Sequence, residues 1–86
     1  MQSAPSPLDL RLAAELDLAR AMLEEMGDEL SASLAVVSDH GVALQSVDVV
    51  GQMLGHIANV VRADDRRDAI ERIGMGELKA KLAAAA

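Results

Sequence analysis

Apolar residues recur at steps of three and four along the first half of the chain, which is the pattern of a helix with one buried stripe. The stripe stays in phase through Gly27, so we predict that one helix continues across this glycine, with a break at residues 26–28 as the alternative. A single step, from Ser33 to Leu34, is irregular. The members of the stripe are Leu12, Leu16, Ala19, Leu23, Met26, Leu30 and Val37.

Local signals set the two ends of this first helix. Ser6 is a suitable N-cap, Pro7 stands at the first helical position, and Asp9 stands where the acid of a capping box belongs. The segment 38–41 (Ser-Asp-His-Gly) is the first strong stop signal, with Gly41 suited to a left-handed terminal position. We therefore predict a turn around His40.

A second helix is predicted from Val42 to Ala63. Its seam again follows threes and fours, and further valines and Met53 widen its apolar surface. A charged connection over residues 64–68 precedes a third, shorter helix that carries Ile70 and Ile73, before the glycines of segment 74–76 loosen the chain. The seam of the second helix is Leu44, Val47, Val50, Leu54, Ile57 and Val61.

Two long helices joined by a tight turn predict an all-α fold built on an antiparallel hairpin over residues 8–63. Residues 1–7 are predicted to be a flexible N-terminus, and residues 64–86 a short C-terminal helix or tail. The apolar stripes are wider than one neighbouring helix can cover. A homodimeric four-helix bundle would cover both, and a monomeric three-helix bundle is the alternative.

The amino-acid composition and net charge exclude several classes of function. The 86 residues include no aromatic side chain and no cysteine, and 51% are hydrophobic. Without aromatic rings the chain is poorly suited to stack nucleobases or line a cofactor pocket, and without thiols it has no disulfide or thiolate metal site. The net charge of −6 argues against nucleic acid and anionic membranes as partners. Residues 1–7 lack the features of a signal peptide, so we expect a cytoplasmic protein.

The polar face of the second helix holds the one constellation that is more than packing. Asp48 and Gln52 are four residues apart, so their side chains lie next to each other on one face. Gly51 and Gly55 flank Gln52, and interior glycines indicate a place where another backbone comes close. The other polar residues of this face are Gln45, Asn59 and Arg62.

The string from Leu44 to Leu54, LQSVDVVGQML, resembles the active-site helix of the CheZ-type chemotaxis phosphatases. That family carries Asp-x-x-Gly-Gln followed by apolar residues, and small alphaproteobacterial chemotaxis phosphatases have a similar Asp-x-x-x-Gln helix. The resemblance covers about a dozen residues. No match to the C-terminal tether peptide of the longer family members is evident in segment 70–82.

The resemblance implies a phosphatase that hydrolyses the aspartyl phosphate of a CheY-like response regulator. Gln52 would orient the attacking water, and Asp48 would pair with the regulator's active-site lysine. Gly51, Gly55, Asn59 and Gln45 would contact the partner. The chain would need no cofactor of its own, since Mg²⁺ is expected on the regulator.

Two other functions remain open at this stage. One is a non-enzymatic helical adaptor or dimerisation module, in which Asp48 and Gln52 are ordinary surface. The other is a histidine phosphotransfer protein that uses His56. The Lys-Gly that usually follows such a histidine is missing, and an exposed structural histidine is the simpler interpretation. In a hairpin that turns near His40, Glu29 is expected to lie level with Gln52 and to shape the contact surface.

Overall fold

The computed structural model describes residues 4–86. Residues 1–3 of the predicted flexible N-terminus lie outside the described residues. This part of the chain folds entirely into helices and turns, which confirms the predicted all-α class. Its overall dimensions are 52 × 26 × 15 Å. The elements are α1 (Pro7–Ser31), α2 (Leu34–Arg62), α3 (Arg66–Glu71) and α4 (Gly76–Ala85).

Helix α1 begins as its sequence predicts. The Ser6 hydroxyl accepts a hydrogen bond from the backbone N–H of Asp9 at 3.0 Å, and the Asp9 carboxylate accepts one from the backbone N–H of Ser6 at 3.1 Å. This reciprocal pair is the capping box, with Pro7 at the first helical position. The hydrogen bond from the Ser6 backbone lowers the pKa of Asp9, and the nearby guanidinium of Arg66 acts in the same direction.

The hairpin turn lies at residues 32–33, and the turn predicted near His40 is wrong. Helix α1 runs through Gly27 without a break and ends at Ser31. Ser33 then caps α2, accepting a hydrogen bond from the backbone N–H of Val36. The irregular step between Ser33 and Leu34 is the sequence signal that marks this turn, because the chain changes direction where the apolar stripe loses phase.

The predicted stop at residues 38–41 is a kink inside α2. His40 departs from helical geometry, with φ −131° and ψ 28°, yet the helix continues on both sides of it. Gly41 does not adopt the left-handed conformation expected of it, since no residue of the described chain has a positive φ. The stop signal therefore bends the helix locally and does not end it.

The two long helices pack through small residues. Ala13 of α1 and Ala58 of α2 are the most completely buried side chains, and Gly51 is buried between the helices. A Cβ at Gly27 would lie 3.4 Å from Val47, so the helices approach closely along their length. The predicted seams are therefore rotated from the observed interface. Five of their members remain well exposed: Leu12, Met26, Leu30, Val37 and Val50.

The C-terminal segment forms two short helices in place of the single one predicted. Asp65 caps α3 by accepting a hydrogen bond from the backbone N–H of Asp68. Ile70 of α3, Ile73 of the following turn and Leu78 of α4 are buried. These three side chains are the largest apolar groups to be buried among the described residues, so much of the modest core lies beside the hairpin.

The hairpin leaves an unusually large surface. The accessible area is 6090 Å², whereas a compact monomer of this length is expected to expose about 4,900 Å². No large side chain is fully buried in the part of the chain that the structure describes. None of the helices within residues 4–86 combines the length and apolar character needed to cross a lipid bilayer.

Candidate functional site

A groove of about 420 Å³ runs between α1 and α2 near the middle of the hairpin. Its α1 wall is polar, and its α2 wall carries most of the residues that sequence analysis singles out. Residues of α1 that line it are Asp17, Arg20 and Glu24; those of α2 are Val47, Asp48, Gly51, Gln52, Gly55, His56 and Asn59.

The predicted pair lies side by side on the open part of this groove. Asp48 and Gln52 are both exposed and separated by one turn of α2. Asn59 is also exposed at the groove, whereas Gly51 is buried beneath it. Gln45 is exposed but does not line the groove. The structure thus brings together five of the six predicted site residues.

Within the chain, the two glycines make room for a side chain of α1. Cγ of Arg20 lies 3.9 Å from the position that a Cβ would take at Gly51. At Gly55 the corresponding distances are 3.2 Å to Cδ and 3.5 Å to Nε of the same arginine. Arg20 carries no distinguishing signal in the sequence, because only the hairpin register shows which α1 residue crosses the glycines.

Ion pairs occupy most of the charged groups around the groove. Arg62, expected on the open polar face, pairs with Asp17 across the two helices. Arg20 pairs with Glu24 at 3.0 Å within α1. Within residues 4–86 no basic side chain lies within ion-pair distance of Asp48. Asp48 is therefore the groove carboxylate that remains available to an external cation.

The structure also tests two predictions about residues near the groove, Glu29 and His56. Gly27 lies against Val47, so Gln52 is level with the segment around Arg20 and Glu24, and Glu29 lies closer to the turn. The expectation that Glu29 stands level with Gln52 is wrong for this reason. His56, expected to be exposed, is half-buried between this groove and a second one lined by Ala69, Arg72 and Ile73.

The described residues contain no group of three or more His, Asp or Glu side chains placed to hold a metal ion. Comparison of the chain with protein-family models, curated proteins and solved structures finds no match. An exposed carboxylate and an exposed amide, held one turn apart on a rigid helix, can bind a cation and orient a water molecule.

Proposed function

We propose that this chain is a CheZ-like phosphatase that hydrolyses the aspartyl phosphate of a CheY-like response regulator and so ends two-component or chemotaxis signalling. The observation that carries the proposal is the placement of Asp48 and Gln52 together on the open side of a groove at the middle of a helical hairpin. A convex partner has access to both side chains there. Such a partner is a cytoplasmic protein, and we place this chain in the same compartment.

In the proposed reaction, this chain has only to position the regulator and the attacking water. The oxygen of a water molecule attacks phosphorus in line with the bond to the regulator's aspartate. That bond breaks, its electron pair leaves with the aspartate carboxylate, and both water protons end on dihydrogen phosphate. The Gln52 amide oxygen accepts a hydrogen bond from the water and fixes its direction of attack. The regulator supplies its own Mg²⁺.

Asp48 has a different task in this scheme. It lies one turn before Gln52 and lacks an ion-pair partner among the described residues, so it is free to bind the ammonium group of a lysine beside the phosphoryl group. The contact orients the regulator on α2. Asp48 would then bind the lysine of the regulator, while Gln52 places the water beside the neighbouring phosphoryl group.

The experiment that tests the proposal measures how fast response regulators from the source organism lose their phosphate. Each regulator is loaded with acetyl phosphate, the excess is removed, and its decay is followed with and without this protein. We expect one regulator to decay at least about tenfold faster at micromolar protein, because positioning a reactant is worth several kcal/mol. Unchanged decay of every regulator would leave the adaptor function as the better explanation.

We further propose that the working form is a homodimer, a four-helix bundle of two hairpins. The accessible area exceeds that of a compact monomer by about 1,200 Å², and a stable dimer hides about 800 Å² on each partner. Exposed apolar residues supply such a face. Met26 lies two positions beyond Glu24, about 200° around α1, and Val50 lies two positions beyond Asp48 on α2. Pairing through these residues leaves both grooves open.

Met26→Lys tests the dimer. Met26 is 44% exposed in the single chain, and a buried ammonium in each copy should weaken self-association at least about 100-fold, or roughly 2.7 kcal/mol. Light scattering at micromolar concentration should give a dimer mass for the wild type and a monomer mass for this variant. Ala14→Lys, at an exposed position about 120° away on α1, is the matched control and should remain dimeric. A monomeric wild type with cooperative unfolding would exclude the dimer.

A further inference from the structure

The side chain of Arg20 spans the groove from α1 to α2 and lies beside the proposed catalytic pair. Its stem crosses Gly51 and Gly55, the two glycines on either side of Gln52, and its Cδ is 3.2 Å from where a Cβ would be at Gly55. A larger residue at position 55 would have to displace the arginine. The absence of side chains at the two glycines therefore leaves room for the Arg20 side chain at this place in the groove.

Most of the hydrogen-bonding capacity of Arg20 is unused. A guanidinium has five N–H donors. One terminal nitrogen donates to the Glu24 carboxylate at 3.0 Å, while Nε is buried and has no partner. The side chain as a whole is 40% exposed, so its outer edge faces the groove. An unpaired buried donor is unfavourable, and the N–H groups of the terminal nitrogens that Glu24 does not use can donate to an incoming acceptor.

The charges in the groove define which acceptor fits. Arg20 is the single Lys or Arg side chain among the described residues that line the groove, and Asp48 lies on the opposite wall. A ligand that carries both an anionic group and a neighbouring cation would satisfy the two walls together. An aspartyl phosphate beside a lysine has this pairing of charges.

We propose that Arg20 binds the phosphoryl oxygens of the docked regulator, stabilising the negative charge while Gln52 holds the water. This inference rests on the proposed phosphatase function. A guanidinium matches phosphoryl oxygens with parallel N–H donors, and charge stabilisation of this kind acts mainly on the reacting complex. Glu24 pairs with one terminal nitrogen and leaves the other donors of the guanidinium open to the phosphoryl oxygens.

The test compares Arg20→Met with Arg11→Met. Methionine keeps an apolar stem over the glycines and removes the guanidinium. Arg11 forms the same kind of pair on α1, with Glu15 at 2.9 Å, but lies outside the groove, so Arg11→Met is the matched control. We expect Arg20→Met to lower kcat for the phosphorylated regulator about tenfold or more. Its affinity for a beryllium-fluoride-loaded regulator should fall, while its affinity for the unphosphorylated regulator stays within about twofold.

Two additional measurements separate charge stabilisation from a structural role. Glu24→Gln breaks the same ion pair but keeps the guanidinium, so its kcat should stay well above that of Arg20→Met. The ¹⁵Nε resonance of Arg20 should shift when the beryllium-fluoride-loaded regulator binds and stay unchanged with the unphosphorylated regulator. Equal losses in Glu24→Gln and Arg20→Met would assign Arg20 a structural role only.

The outcomes also distinguish the two proposals. If wild-type protein accelerates dephosphorylation, Gln52→Ala abolishes the effect and Arg20→Met keeps full kcat, the role of Arg20 is refuted and the phosphatase function stands. If wild-type protein accelerates the decay of no regulator, both proposals fall together.

Discussion

Replacing Gln52 with alanine should abolish the acceleration of regulator dephosphorylation while leaving the fold intact. Gln52 is exposed on α2, and alanine is the better helix former, so the free energy of unfolding should change by no more than about 0.5 kcal/mol. The lost activity would therefore come from the missing amide. The decay assay measures the loss, and circular dichroism and light scattering on the same sample confirm the helix content and mass.

Gln52→Glu sharpens this prediction because it keeps the size of the side chain and adds a negative charge. The carboxylate would face a phosphoryl group, so this variant should also fail, including under conditions where the unphosphorylated regulator still binds. Asp48→Ala should differ, with weaker association as its main defect, because Asp48 is assigned to bind a lysine. Full activity in Gln52→Ala would contradict the assigned role of the amide.

Ala58→Asp should unfold the hairpin or leave it barely stable. The Ala58 side chain has 0% exposure in the interface between α1 and α2. An aspartate there would bury an unpaired carboxylate and crowd a close helix contact, at a cost of about 3–5 kcal/mol. That is a large part of the stability of a small domain.

Chemical denaturation monitored by circular dichroism measures this effect. Ala43→Asp is the matched control, since Ala43 is exposed on the same helix and the same side chain is introduced. The control should lose less than about 1 kcal/mol, which is the scale of helix propensity. Similar losses in the two variants would mean that Ala58 is not a point of close packing.

Local chemistry made the start of α1 predictable, whereas two competing stop signals left the position of the hairpin turn, and with it the start of α2, ambiguous. The hydroxyl of Ser6 and the carboxylate of Asp9 form the capping box from adjacent sequence alone. Segment 38–41 has stronger stop residues than segment 32–33, where the hairpin turn lies. Even so, α2 passes through segment 38–41 with a kink at His40. Packing of α2 against α1 outweighs the local preference of these residues.

The residues of the candidate site on α2 were predictable from the sequence, whereas the one on α1, Arg20, was not. Asp48 and Gln52 share a face because of their spacing, which the sequence contains. Arg20 joins them because Gly27 packs against Val47 and thereby fixes the register of the hairpin. A register depends on contacts between residues distant in sequence, and a turn assigned near His40 places Glu29 at the level of Gln52. The guanidinium of the groove could therefore not be identified from periodicity.

The two-residue connection at Ala32 and Ser33 has a consequence for how the molecule assembles during folding. Contacts between α1 and α2 are nested around this one connection, so each new contact closes only a small additional loop once the preceding one exists. The chain entropy lost at each step is correspondingly small, and nested local contacts are typical of fast-folding helical proteins. Formation can proceed like a zipper from the connection, and the Arg66–Asp9 pair at the open end of the hairpin joins late. In that order the contacts of the groove, at mid-length, form before the open end closes.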